Sequence, residues 1–361
     1  MVLPDLRILS QLTATLSILL AASVVFAEQK PAHNVAAVCA RCHSSQALTQ
    51  PLTSMGRALQ PPGVDPVLSS HPRLTFQKFA YTYVVETLNG QSTYSVTDGT
   101  QTITLPIRWT FGNSARTWVF ERDGVYYESL VSYYPSLGGL GITIGDFGIT
   151  PRTLDEAVGR RLPPSEPVAC FGCHSTGAVI DGQLLSFDSL EPGVTCEHCH
   201  TGAISHMVSA VQGADTETAP PDLRKLTSED VSDFCGQCHR TWETVIRGPW
   251  RGELNVRFQP YRLANSKCFS GTDPRISCIA CHDPHKNLDT DAAAYDAKCL
   301  ACHTLQGAVP AANRKATAKA CPVQETNCVS CHMPEVKLAN GQATFRDHLI
   351  RIAKPGMPYP D

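Results

Sequence analysis

Seven times along this chain, two cysteines stand three positions apart with a histidine directly after the second. The copies are Cys39-Ala-Arg-Cys42-His43, Cys170-Phe-Gly-Cys173-His174, Cys196-Glu-His-Cys199-His200 and Cys235-Gly-Gln-Cys238-His239, then Cys278-Ile-Ala-Cys281-His282, Cys299-Leu-Ala-Cys302-His303 and Cys328-Val-Ser-Cys331-His332. They use fourteen of the sixteen cysteines. Residue frequencies alone would give about 0.02 to 0.03 such motifs in the whole chain. On a helical turn, positions i and i+3 share a face, so both thiols can reach the two vinyl groups on one edge of a porphyrin. The histidine that follows projects beneath the ring, where its imidazole can bind iron. The pattern therefore predicts seven covalently held haem c groups, each with one iron ligand supplied by its own motif. A zinc ribbon would need two more ligands per metal and gives no reason for a histidine after every second cysteine. Labile disulfides within the pairs would not call for histidine either.

Seven six-coordinate irons take fourteen axial ligands, of which the motifs supply seven. The histidines left over are His33, His71, His198, His206, His285 and His348, one too few. His198 is pinned between the two cysteines of its own motif, which leaves two irons without a second histidine. His206 and His285 follow His200 by six residues and His282 by three. So short a tether cannot pass round a ring roughly 10 Å across. These two are expected to bind a neighbouring haem, which forces haems into contact. His71, His348 and His33 complete the expected distal set, and Met55 is the favoured substitute ligand. Each has an ordinary reading too, as a packed or surface histidine or, for Met55, as filling in a small apolar segment.

Six of the seven motifs fall between Cys170 and His332, about one per 27 residues, too crowded for a side-chain core of normal size. Porphyrins are expected to supply much of the buried apolar surface there, and the segment is expected not to fold without them. Thr227 to Cys238 and Asp291 to Cys299 read as capped helical turns that carry motifs. Thr153-Leu-Asp-Glu156 reads as a capping box opening a short helix through Arg160. Proline-rich stretches at 163–167 and 219–221 read as linkers.

Residues 75–145 differ in kind, with no cysteine and no histidine. Tyr81 to Val85, Thr93 to Val96, Ile103 to Leu105, Trp118 to Phe120 and Val125 to Tyr127 are β-rich. Asn89-Gly90, Asp98-Gly99 and Asp123-Gly124 punctuate them, which predicts an antiparallel meander of about five strands. The plain reading is an insertion packed over the first haem; the sharper one is a partner-docking surface.

The N-terminus reads as an address. Arg7 precedes an apolar run from Leu16 to Phe26, and Val25-Phe26-Ala27 before Glu28 fits a cleavage site. A spanning helix needs about 20 apolar residues, so membrane association is expected only if this signal stays uncleaved. The expected layout is an export signal at 1–27, a segment with the first motif at 28–73, the β-rich insertion at 74–150, a six-haem region at 151–350 and a tail at 351–361. Outside the cytoplasm, Cys268 and Cys321 are expected to be bridged, with unpaired thiols or an unusual haem link as alternatives. The 361 residues are 42% hydrophobic, too apolar for a disordered chain. A net charge of −3 without a Lys/Arg run leaves no footprint for nucleic acid.

Cys196-Glu-His-Cys199-His200 with His206 following, Arg275-Ile-Ser-Cys278-Ile-Ala-Cys281-His282-Asp-Pro-His285 and Cys328-Val-Ser-Cys331-His332-Met333-Pro334 resemble the multihaem cytochrome c-552/4 family. The resemblance covers roughly residues 35–50 and 165–350. Thr201-Gly202-Ala203 departs from the Gly-Pro-Gly that often stands at that place in the family. The resemblance implies stacked haem pairs and electron transfer. The expected fold class is thus a multihaem cytochrome c, with short α-helices and irregular coil around stacked haems and an inserted antiparallel β meander, α+β overall.

The expected function is electron carriage outside the cytoplasm, periplasmic or extracellular. Fourteen propionates would take the charge to about −17 when reduced and about −10 when ferric, so redox partner proteins are expected to dock through basic patches. A second class is a reductase or oxidase acting on a small nitrogen or sulfur species at an open iron, with Arg247, Arg251 or Arg257 as anion guides. A third is a subunit that polymerises or docks in a larger envelope complex through the β region.

Overall fold

The computed structural model describes residues 35–180, 182–213, 219–303, 321–338, 342–354, 356–357 and 359–360. The expected signal at 1–27 and His33 lie outside the described residues. Helices and antiparallel sheet are mixed. The sheet comes from β1 (Leu59–Gln60), β2 (Arg73–Lys78), β3 (Tyr81–Leu88), β4 (Gln91–Thr97), β5 (Thr102–Pro106), β6 (Trp109–Phe111), β7 (Arg116–Arg122), β8 (Val125–Tyr134), β9 (Gly139–Ile142) and β10 (Gly159–Arg161).

These strands form two sheets rather than the single meander of about five that the sequence predicts. One is β2-β3-β4-β5; the other runs β1-β6-β7-β8-β10, with β9 also on β8. Pro106 closes β5, because a residue without an N–H cannot extend a ladder, and the chain crosses at Ile107 and Arg108 to the second sheet. β1 and β10 come from outside 75–145 and are only two and three residues long, too short to show an alternating pattern.

Turn chemistry fixes the hairpins. Asn89-Gly90 and Asp123-Gly124 hold positive φ at both residues (50° and 78°, 53° and 74°), the type I′ geometry that matches strand twist. The registers Leu88↔Gln91 and Arg122↔Val125 follow. Asp98 works differently: its carboxylate accepts from the N–H groups of Thr100 and Gln101 at 2.8 and 2.7 Å.

Alternation then decides burial. Tyr83 and Val85 on β3 and Tyr94 and Val96 on β4 turn inward onto Trp118, Phe120, Leu130 and Val131. Beneath this core lies a buried ion pair, Arg116 with Asp65 at 3.2 Å. Asp65 also accepts from Thr110 Oγ1 at 2.7 Å and from the N–H groups of Val67 and Leu68. Thr153 does cap a helix, accepting from Glu156 N–H at 3.2 Å, but the helix is Leu154–Val158 and stops short of the expected Arg160. Gly159 ends it: β10 runs so close to β8 that a Cβ at this position would meet the Glu128 carbonyl oxygen at 2.1 Å.

Beyond β10 the described chain is short helices, coil and three small antiparallel ribbons, Ser175–Thr176 with Glu191–Pro192, Val179–Ile180 with Leu184–Leu185 and Glu335–Lys337 with Thr344–Arg346. The helix Ser228–His239 opens on a capping box of Thr227 and Asp230, as its sequence predicts. Asp291 caps a tight turn, Ala292–Tyr295, that leads into Asp296–Leu300. A second buried pair ties the C-terminal segment down: Arg262 grips both oxygens of Asp347 at 2.9 and 3.0 Å and lies over the Tyr359 ring. The structure does not join Cys268 to Cys321 as expected. Among the described residues no helix is long and apolar enough to cross a membrane.

Candidate haem sites

Each motif is built as a helical turn. The histidine N–H reaches back to the carbonyl of the first cysteine: His43 to Cys39 and His200 to Cys196 at 2.8 Å, His282 to Cys278 at 2.9 Å, His303 to Cys299 at 3.0 Å. That turn puts both thiols on one face with the imidazole below them. The second motif ends the helix Ser165–His174 and the fourth ends Ser228–His239; the seventh forms Cys328–His332.

Neighbouring segments fix each turn in place. Gln50 donates to the Val194 carbonyl at 2.6 Å, and Val194 N–H donates to Met55 at 3.0 Å, so the stretch after the first motif holds the approach to the third. Gly193 (φ 82°) permits this, since a Cβ there would meet the Gly56 carbonyl oxygen at 2.0 Å. Phe171, inside the second motif, packs edge-on against Trp109, Phe111 and Phe187. Asp296, beside the sixth motif, accepts from Asn327 and Cys328 N–H at 2.6 and 2.8 Å and so positions the seventh.

Two pairs of histidine rings face each other. His200 and His285 lie 6.1 Å apart between ring centres with planes 7° from parallel. His282 and His348 lie 6.2 Å apart at 47°. His285 therefore faces the histidine of the third motif and not that of the fifth, which immediately precedes it. Nδ1 lies 3.0 Å from a backbone carbonyl in four histidines: His71 with Val67, His174 with Ala58, His332 with Arg351 and His348 with Arg346. In His285 it lies 3.1 Å from the Asp283 carboxylate. A proton held on Nδ1 leaves Nε2 as a lone pair, the tautomer that binds a metal. Burial acts in the same direction. It lowers the pKa of His174 and His282, and pushes that of His348 down to about 4, so these rings stay neutral.

The remaining expected ligands are placed less tellingly. His71 ends the helix Pro66–Ser70, with Nδ1 on the Val67 carbonyl and its ring 5.0 Å from that of Tyr133. His206 is half-buried on the helix Ala203–Val211. Met55 is half-buried in the turn that receives Val194. Burial lowers the pKa of His198, which lies near the Ser175 backbone.

This donor set fits c-type haem. Paired thiols on one helical face supply two thioethers, and a neutral imidazole supplies an axial nitrogen. With metal–nitrogen bonds of about 2 Å, two imidazoles trans on one iron have ring centres about 6 Å apart. The sequence model of the Cytochrome c554 and c-prime family matches residues 155–201, which span the second and third motifs. The protein is a multihaem c-type cytochrome. A solved structure, that of the outer cell wall cytochrome OcwA, is 15% identical, with a TM-score of 0.49 over 87% of this chain and 78% of that one. No curated protein matches the sequence.

In this cytochrome, motifs distant in sequence bring their sulfurs near one another. The Cys39 sulfur lies near that of Cys196, Cys173 near Cys238, Cys235 near Cys278 and Cys299 near Cys328. Cys199 stands close to Cys235 and Cys238, and Cys281 to Cys299. These approaches link the motifs in the order first, third, fourth, fifth, sixth, seventh, with the second joined to the fourth. Nothing in the cysteine spacing announces that order. Sequence reasoning also missed Arg240, Asp296 and the Arg262–Asp347 pair next to His348, because each acts only through a partner far away in the chain.

Proposed function

We propose that this cytochrome carries electrons through seven covalently held haems set close together outside the cytoplasm. Haem supplies the one-electron couple, and the polypeptide sets spacing, axial ligation and dielectric. The nearness of the motif sulfurs to one another carries the reading. These cysteines would hold haem through thioethers, so motifs whose sulfurs lie near one another would bring their haems near one another too. His200 with His285, and His282 with His348, serve as axial pairs for the third and fifth irons. His71, His206, His33 and Met55 are the remaining candidates for distal sites. Export rests on the N-terminal sequence, and docking to basic patches on partner proteins rests on the acidity that propionates add.

Mass measurement of the purified exported protein should find seven haem additions beyond the chain. His285→Ala and His348→Ala should each create a high-spin signal from about one haem per molecule, because each removes one strong-field ligand. Variants that stay wholly low-spin would remove the ligand pairs. Carbon monoxide binding at one reduced iron of the unmodified protein would instead favour the reductase reading.

A further inference from the structure

The fold separates the three arginines that the sequence offers as anion guides. Arg247 pairs with Glu243 at 2.6 Å on the exposed side of the helix Trp242–Arg247. Arg251 spends its guanidinium on the carbonyls of Val245, Ile246, Gly248 and Trp250, closing the end of that helix. Arg257 has neither arrangement. Its Nε is buried without a hydrogen-bond partner.

Arg257 shares a cavity of about 170 Å³ with Arg240, walled by Trp250 and Phe258 and floored by Cys238 and His239 of the fourth motif. The guanidinium carbons lie 5.0 Å from the Trp250 ring and 5.3 Å from the Phe258 ring. Among the described residues neither guanidinium has a carboxylate within ion-pair distance. Glu128 is the carboxylate that acts on Arg257, and it is engaged by Arg160 at 2.7 Å. Burial first, then Arg240, works against the charge on Arg257. Arg240 also holds a positive φ of 66° directly after His239, a conformation that a residue with a Cβ rarely adopts and that persists only where its surroundings fix it. Two like charges facing one half-open, aromatic-walled cavity repel, an anion between them relieves that repulsion, and guanidinium forks match the oxygens of carboxylates and inorganic oxyanions.

We propose that Arg240 and Arg257 form an oxyanion-binding site beside the fourth haem motif. The inference rests on the haem reading of that motif and goes beyond electron carriage, because an anion held there tunes or addresses one particular redox centre. The oxyanion is a carboxylate or an inorganic species of the same chemistry, and its source is either a propionate of a bound haem or the solution.

Redox titration of the intact holoprotein, followed by absorbance in phosphate and in chloride at matched ionic strength, tests this. The variants are Arg257→Gln, Arg240→Gln and, as a control, Arg247→Gln. If the oxyanion comes from solution, phosphate shifts one component of the wild-type curve, and either cavity variant weakens that response about tenfold or more. If a propionate occupies the site, phosphate shifts nothing, but each cavity variant lowers the midpoint of one component while the control does not. Arg257→Lys keeps the charge and should retain most of the wild-type behaviour, which covers the case in which the glutamine variant loads haem poorly. Cavity variants that titrate like the control in both salts would overturn the proposal. So would a phosphate response that survives both substitutions. Haem content per chain, measured alongside, separates these outcomes from failure of the haem reading itself.

Discussion

Between Arg73 and Ile142 the chain buries its own side chains, whereas from Ser165 onward it leaves that work largely undone. The first region sets Trp118, Tyr83, Tyr94 and Phe120 almost wholly out of water in one cluster. The second gathers buried apolar side chains only in small groups, such as Val245 with Phe258 and Tyr261. Around its motifs Ile204, Val211, Trp242 and Ile246 stand exposed. A core of side chains and a core of porphyrins are two answers to one requirement, since both remove apolar surface from water at roughly 25 cal/mol per Å². On the proposed haem reading, covalent attachment would itself be a folding device in the motif-rich region.

Withholding haem should break the comparison most visibly. Limited proteolysis of chain produced without haem attachment should cut throughout residues 165–350 and spare residues 73–142. Far-UV circular dichroism should lose the helical signal and keep the sheet signal. Equal resistance in both regions would mean that the motif-rich half has a sufficient core of its own.

Next in size are the two buried ion pairs, one in each region. Arg116→Met strands Asp65 and should destabilise the protein by about 3–5 kcal/mol in chemical denaturation, with the haem spectrum of the folded state unchanged. Arg262→Met strands Asp347 at a similar cost. Because Asp347 precedes His348, whose ring faces His282, this variant should also perturb the Soret band before unfolding begins. Identical spectra for the two variants would show that the C-terminal anchor does not act on the ligand pair.

The regions also differ in how much of them the sequence discloses. Strands β3, β4 and β8 and their Asn-Gly and Asp-Gly turns are readable because alternation and turn chemistry are local properties. The motif cysteines are readable for the same reason. The two-sheet division is not, because β1 and β10 owe their existence to partners fifty and thirty residues away. The tether argument places His285 on another haem but cannot say which; only the fold sets it against His200. Among the three arginines considered, side-chain type is identical and partners alone distinguish them. The bridge assigned to Cys268 and Cys321 fails similarly, since counting leftover thiols says nothing about where each one lies.

The smallest predicted effect lies where the two regions meet. Asp146 is buried beside Glu128 of β8, Arg160 of β10 and Glu166 of the helix that carries the second motif. Burial first, then Glu128, pushes its carboxyl up to about 6. Between about pH 4 and pH 6 the folded chain thus keeps a proton that the unfolded chain releases. Stability falls as pH rises through that window and levels off above it, by on the order of 2 kcal/mol in total. Asp146→Asn should flatten this slope and raise stability at pH 7, less whatever the Asp146 charge gains from Arg160 at 4.0 Å. Denaturation at pH 4.5 and pH 7, followed by both tryptophan fluorescence and Soret absorbance, checks it. A slope seen equally by both probes and removed by the substitution would join the sheet and the second motif in one cooperative unit. A slope confined to fluorescence would mean that the charge cluster belongs to the sheet alone and that the motif-rich half unfolds by itself.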